Sequence, residues 1–174
     1  MSFTRSQLEK LVDCKMEDFS SGVLAGAKRA HIDKLRRRLE NIACKTPDEQ
    51  EISVTRDETS KVAKLCIRSG AKNALSGRMI SQLTEAIDQL YEWPEARGLL
   101  IHGHAGTFCS GSDLVGARAT ADQQWGWELA QVMQYNLMRI QQLPLVSVAL
   151  LEGYALGGGA ELAMAADLRL MASK

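Results

Sequence analysis

An α/β fold with strands buried behind amphipathic helices is predicted by three features of this 174-residue chain. Short β-rich runs alternate with stretches whose apolar residues recur at helical spacing. Two of the strands run directly into glycine-rich loops. The composition, 45% hydrophobic and 24% charged, is that of an ordinary globular domain. Alternation of this kind suits a sheet with covering helices, because each element must bury its apolar side on another.

Residues 1–46 read as an N-terminal helical extension, with Ile32, Leu35, Leu39 and Ile42 at helical spacing and a basic run at Lys34, Arg36, Arg37 and Arg38. The apolar stripe is one residue wide, so the basic run is expected to be a solvated face rather than a membrane or partner surface. Pro47, Asp48 and Glu49 mark the boundary to a domain over 47–174. There the run EISVT, the polar turn Asp57–Ser60 and the run KVAKLCI predict a hairpin. Ser76–Trp93 is the clearest helix, with Met79, Ile80, Leu83, Ala86, Ile87, Leu90 and Tyr91 on one face and Pro94 as its stop. GLLIHG follows as a short buried strand, then a glycine-rich loop at 103–113. A second amphipathic helix, about 121–142, carries Trp125, Leu129, Val132, Met133, Leu137 and Ile140 and ends before Pro144. The strand LVSVAL, the loop EGYALGGG, a small-residue helix around AELAMAA and the strand DLRLM complete the order. Apolar residues of that last strand need a further helix to cover them, so a longer parent protein is expected.

Charge and composition remove several function classes. Lys+Arg and Asp+Glu both total 21, which leaves no basic excess for nucleic acid. The longest nearly apolar stretch, Leu143–Leu151, falls far short of the roughly 20 residues that cross a bilayer. The first residues lack a secretory apolar core and carry Glu9, Asp13, Glu17 and Asp18, so a cytosolic protein is expected. Cys14, Cys44, Cys66 and Cys109 form no CxxC pair and are expected to be reduced thiols.

The chemistry concentrates in two loops, GTFCSGSDL at 106–114 and EGYALGGGAEL at 152–162. Each follows a predicted strand, where open α/β sheets bind ligands, and glycine there lets backbone approach a ligand closely. A Walker loop fails because Gly159 stands where lysine is required. The dinucleotide pattern fails at Leu162, and the hydrolase elbow GxSxG is absent. Gly157, Gly158 and Gly159 still lead into a helix, whose unpaired N–H groups and positive dipole end stabilise negative charge. One N–H from each loop aimed at a shared oxygen would make an oxyanion hole for an enolate or a tetrahedral intermediate. Glu161, in the first turn of that helix, either complements the dipole or acts on substrate.

FCSGSDL at 108–114, GYALGGGAELAMAADLRLM at 153–171 and NAL at 73–75 resemble, in that order, signature segments of the enoyl-CoA hydratase/isomerase (crotonase) superfamily. The resemblance runs from about Ile52 to Met171 and implies a spiral of ββα units, completed in relatives by C-terminal helices that build homo-oligomers, trimers or hexamers. It places oxyanion-hole amides at Ser110 and Gly158 and an acid/base carboxylate at Glu161. Lys72 matches a position that contacts coenzyme A, although RSGAKNAL lacks the proline common in relatives. The acyl-CoA site would be lined by Ser110, Gly111, Ser112, Asp113 and Leu114, and by Tyr154, Ala155, Leu156, Gly157 and Gly158. No metal or separate cofactor is implied, since coenzyme A belongs to the substrate.

FCSGSDL with VALLEGYALGGGAEL is most similar to decarboxylating members. That implies loss of carbon dioxide from ethylmalonyl-CoA and, less well, methylmalonyl-CoA. The alternatives are a hydratase/isomerase-type enzyme and a shortened, non-catalytic domain that binds acyl-CoA or associates with other subunits. The second carboxylate of the hydratases falls after DLRLM on the family pattern, past Lys174. Among rival sites, His102 and His104 lack the carboxylate partner of a metal centre and are expected to be structural. Cys109 with His104 offers a thioesterase pair, disfavoured because buried thiols are commonly inert. Asp113 is expected to cap a turn.

Overall fold

The computed structural model describes residues 23–41, 51–113 and 123–173. The expectations for Leu114, Ile42, Cys14, Cys44 and the Pro47 boundary, and for the Trp125 side chain, lie outside what it describes. In chain order the elements are α1 (Val23–Asn41), β1 (Glu51–Asp57), β2 (Val62–Arg68), α2 (Gly77–Tyr91), β3 (Gly98–Gly103), α3 (Gln123–Gln141), β4 (Val146–Leu151), α4 (Gly158–Ala165) and β5 (Leu168–Met171).

The strands form one sheet in the order β1-β2-β3-β4-β5. β1 and β2 are the predicted antiparallel hairpin, and every later pairing is parallel. Asp57 fixes the hairpin turn by accepting from the N–H groups of Thr59 and Ser60 and from the Ser60 hydroxyl. Alternation along the strands sorts the two faces. Ala63, Leu65, Ile67, Leu99, Ile101 and Ala149 are fully buried, whereas Lys64, Leu100, His102 and Leu150 point to the other side, where they line an open groove of about 340 Å³. β5 is held by a reciprocal lock at its start. Asp167 accepts from the Ser147 N–H and hydroxyl at 2.8 and 2.7 Å, and its own N–H donates back to Ser147 Oγ. Leu170 and Met171 of this strand are 61% and 76% exposed.

α2 starts where Ser76 accepts the Met79 N–H, an N-cap that satisfies an otherwise orphaned donor. Its buried stripe is the predicted one, Met79, Ile80, Leu83, Ala86, Ile87 and Leu90. On α3, Leu129, Val132, Met133 and Ile140 are buried as expected. Asn136 bolts that helix to α2 by donating to Ile80 O at 3.0 Å.

α1 departs from the sequence reading. Ile32, Leu35 and Leu39 are at most 5% exposed and join the main core, so its basic face is not simply solvated. Arg36 bonds Ser81 and Glu85 on α2, Arg38 pairs with Glu128 on α3, and Arg29 makes a fork of two 2.6 Å bonds to Asp88. The narrow apolar seam is supplemented by these contacts, in which arginine guanidiniums reach carboxylates on the two neighbouring helices.

Candidate active site

The three sequence segments that carry the family resemblance are hydrogen-bonded to one another. The loop after β3 runs beside the loop after β4: Phe108 N–H donates to Glu152 O, Cys109 N–H to Tyr154 O, and Leu156 N–H to Cys109 O, all at 2.7–3.0 Å. The same loop pairs on its other side with the NAL segment through Leu75 N–H to Gly111 O and Asp113 N–H to Leu75 O, at 2.8 and 2.9 Å. Short parallel bridges, Cys109 with Ala155 and Leu75 with Ser112, thus hold the site together outside the main sheet.

Asn73 ties this assembly down, and the sequence reading passed over it except as part of the NAL match. It is fully buried in the left-handed region, φ +50°. Its Oδ1 accepts the Ser69 N–H at 3.0 Å, and its amide nitrogen donates to His104 O and Thr107 O at 2.8 and 2.6 Å. Asparagine tolerates this backbone region better than most residues, which was the one local signal available; the partners lie about 30 residues away in sequence.

Close approach requires glycine at several positions, and two of them, Gly159 and Gly111, stand where the first loop meets the start of α4. A Cβ on Gly159 would sit 2.2 Å from Cys109 O, so the start of α4 can meet the first loop only without a side chain. Gly111, at φ +89°, faces Leu156 O and Gly158 N, from which an added Cβ would lie 2.7 and 3.2 Å. Gly158 itself is backed by Leu75 and Met133, whose terminal carbons stand 3.9 Å from where its Cβ would be.

The expected pairing of Ser110 with Gly158 is corrected by this geometry. The Ser110 N–H donates to Lys72 O at 3.0 Å and is therefore committed to holding the loop. Two residues on, Gly111 O and Asp113 N–H both face Leu75, so the backbone N–H of Ser112 between them faces the opposite edge. Neither the Ser112 nor the Gly158 N–H has a backbone acceptor among the described residues. The Gly158 amide also lies at the N-terminus of α4, where the helix dipole favours an anion.

Around these amides, Tyr154 and Leu156 are 62% and 53% exposed, open to a ligand, while Gly157 caps α4 and Ala155 is half-buried. Glu161 stands in the first turn with its N–H on Gly157 O at 3.0 Å and its side chain exposed. The Lys72 side chain is exposed beside the same assembly, and Asp113 is half-buried.

The rival chemistries gain little. Cys109 is fully buried, and burial pushes its thiol above the ordinary range despite the Gly111 N–H that bonds its sulfur. Such a thiol is a poor nucleophile. His102 Nδ1 lies 2.9 Å from Gly103 O, and His104 is exposed, its backbone bonded to Ile67 and Asn73. Among the described residues no cluster of His, Cys, Asp and Glu could hold a metal ion, and no helix is long and apolar enough to cross a membrane.

The pattern of the enoyl-CoA hydratase/isomerase family matches residues 57–174, and the chain belongs to that family. It is 48% identical over 111 residues to the ethylmalonyl-CoA decarboxylase of Xenopus laevis, covering 63% of this chain and 37% of that protein. To the ethylmalonyl-CoA decarboxylase of Mus musculus it is 52% identical over 99 residues, covering 57% and 31%. The chain therefore spans about a third of the length of these curated relatives. Among solved structures it is similar to the enoyl-CoA hydratase of Bacillus anthracis, with a TM-score of 0.65 and 30% identity over 70% of this chain and 47% of that one. The crotonase-like α/β fold is thereby established.

Proposed function

We propose that this chain carries the carboxy-lyase site of an acyl-CoA decarboxylase acting on ethylmalonyl-CoA and, less well, methylmalonyl-CoA. The observation that carries the reading is the pair of backbone N–H groups, Ser112 and Gly158, left without backbone acceptors on two loops that the Cys109–Ala155 bridge binds together. The names of the relatives support the choice of substrate.

Decarboxylation breaks the bond between the α-carbon and the carboxylate. Carbon dioxide leaves, and the electron pair spreads from the α-carbon onto the thioester oxygen as an enolate. The two amides and the α4 dipole meet that charge without reorganising, each donor contributing about 3 kcal/mol to the transition state. A proton must then return to the α-carbon. Glu161 supplies it or orients the departing carboxylate, and Tyr154, Leu156 and Lys72 hold the acyl chain and coenzyme A. A trimeric or hexameric assembly belongs to the same proposal.

The test is carbon dioxide release from purified protein given ethylmalonyl-CoA, with methylmalonyl-CoA and crotonyl-CoA alongside. Release from the first two supports the decarboxylase. Hydration of crotonyl-CoA instead indicates a hydratase, and butyryl-CoA binding without turnover indicates a non-catalytic binder. Glu161→Gln is expected to lower turnover at least about 100-fold; unchanged turnover removes Glu161 from proton transfer.

A further inference from the structure

α3 lies between the N-terminal helix and the candidate site. α1 runs antiparallel to it, with Arg38 against Glu128 near one end and Arg29 reaching Arg139 through their shared partner Asp88 at the other. Between them His31 Nε2 lies 3.1 Å from Gln131 Oε1. The Glu128 side chain is only 6% exposed, and its carboxylate also accepts from Gln124 at 3.0 Å. A buried carboxylate needs its cation, because an unpaired charge there is costly. Met133 projects from α3 away from Glu128 and Gln131, at 100° per residue, and its methyl group backs Gly158.

We infer that α1 is a positioning element of the candidate active site, with Arg38, through Glu128, holding α3 at the depth that seats Met133 against Gly158. This deepens the proposed function and rests on Gly158 as an oxyanion donor. The chain of contacts is short: arginine, carboxylate, one helix width, methionine, glycine. Arg38 is 52% exposed, so its removal disturbs the pair without opening the core.

The experiment is amide hydrogen exchange by NMR on the full chain, read at the Gly159 and Glu161 N–H groups, which bond Leu156 O and Gly157 O. Arg38→Ala is expected to speed exchange at both by about tenfold relative to β2 and β3. Arg38→Lys should recover most of the protection, and Arg38→Ala combined with Glu128→Gln should recover part by removing the buried charge. Exchange unchanged at Gly159 and Glu161 overturns the inference. So does equal acceleration in β2 and β3, which marks general destabilisation. Butyryl-CoA affinity is measured in parallel. Its absence in the wild-type chain counts against the proposed function alone, and the exchange comparison still decides the coupling.

Discussion

Replacing Asn73 tests how the candidate site is held. Asn73→Ala deletes three side-chain hydrogen bonds and leaves the Ser69 N–H and the carbonyls of His104 and Thr107 without that partner. At about 1 kcal/mol net for each bond, the loss is about 3 kcal/mol. Alanine held at φ +50° adds about 1 kcal/mol. A total of about 4 kcal/mol, at about 2–4 °C per kcal/mol for a chain of this size, lowers the melting temperature by about 8–16 °C. Asn73→Asp sharpens the reasoning. One carboxylate oxygen can still accept from Ser69, but the other faces two carbonyls and has nothing to donate unless protonated. The folded state then favours the protonated acid, so the folded pKa is raised above the unfolded value of about 3.9. Stability is fully present below that unfolded value and is lost as pH rises through the folded one. Circular-dichroism melts between about pH 4 and about pH 8 should therefore show the aspartate variant falling further below wild type as pH rises. Wild-type stability in either variant, or a gap that narrows toward high pH, would refute the role given to Asn73.

Gly159→Ala places a methyl group 2.2 Å from Cys109 O and must part the two loops. A loss of about 3 kcal/mol is expected in urea denaturation, with weaker acyl-CoA binding. Asp88 should shape the acid limb of stability. Burial alone would raise its carboxyl, but the hydrogen bonds from Arg29 and the Arg139 guanidinium 2.7 Å away outweigh it and hold the group below its ordinary range. Its contribution is present above the unfolded value of about 3.9 and is lost as pH falls through the folded one. Asp88→Asn should thus melt below wild type near neutrality, the gap closing in acid. Cys109, buried with its thiol pushed upward, should resist iodoacetamide in the native protein and react once urea unfolds it, as read by peptide mass spectrometry.

Much of the architecture was legible because it is local. Periodicity located α2 and its buried stripe, and β3 matches GLLIHG residue for residue. The glycine-rich loops read from the sequence do follow β3 and β4. The role of α1 was not legible: a seam of single apolar residues at Ile32, Leu35 and Leu39 is too narrow to distinguish a surface helix from a packed one. Its partners Asp88 and Glu128 lie 59 and 90 residues from the arginines they bind.

The chain's order of residues pointed, unaided, to the kind of fold and to two glycine-rich loops after strands, since both rest on spacing within a short window. The resemblance of three segments pointed to the family that the match over residues 57–174 shows. Which amides of those loops are free came only from the folded molecule. Ser110 and Ser112 are both small residues in one loop and look equivalent as letters. The pairing with Lys72 and Leu75 decides that the first N–H is used internally and that the second faces away. A hydrogen bond depends on what stands within 3 Å, and in a chain folded through a sheet those neighbours are drawn from segments that no local pattern connects.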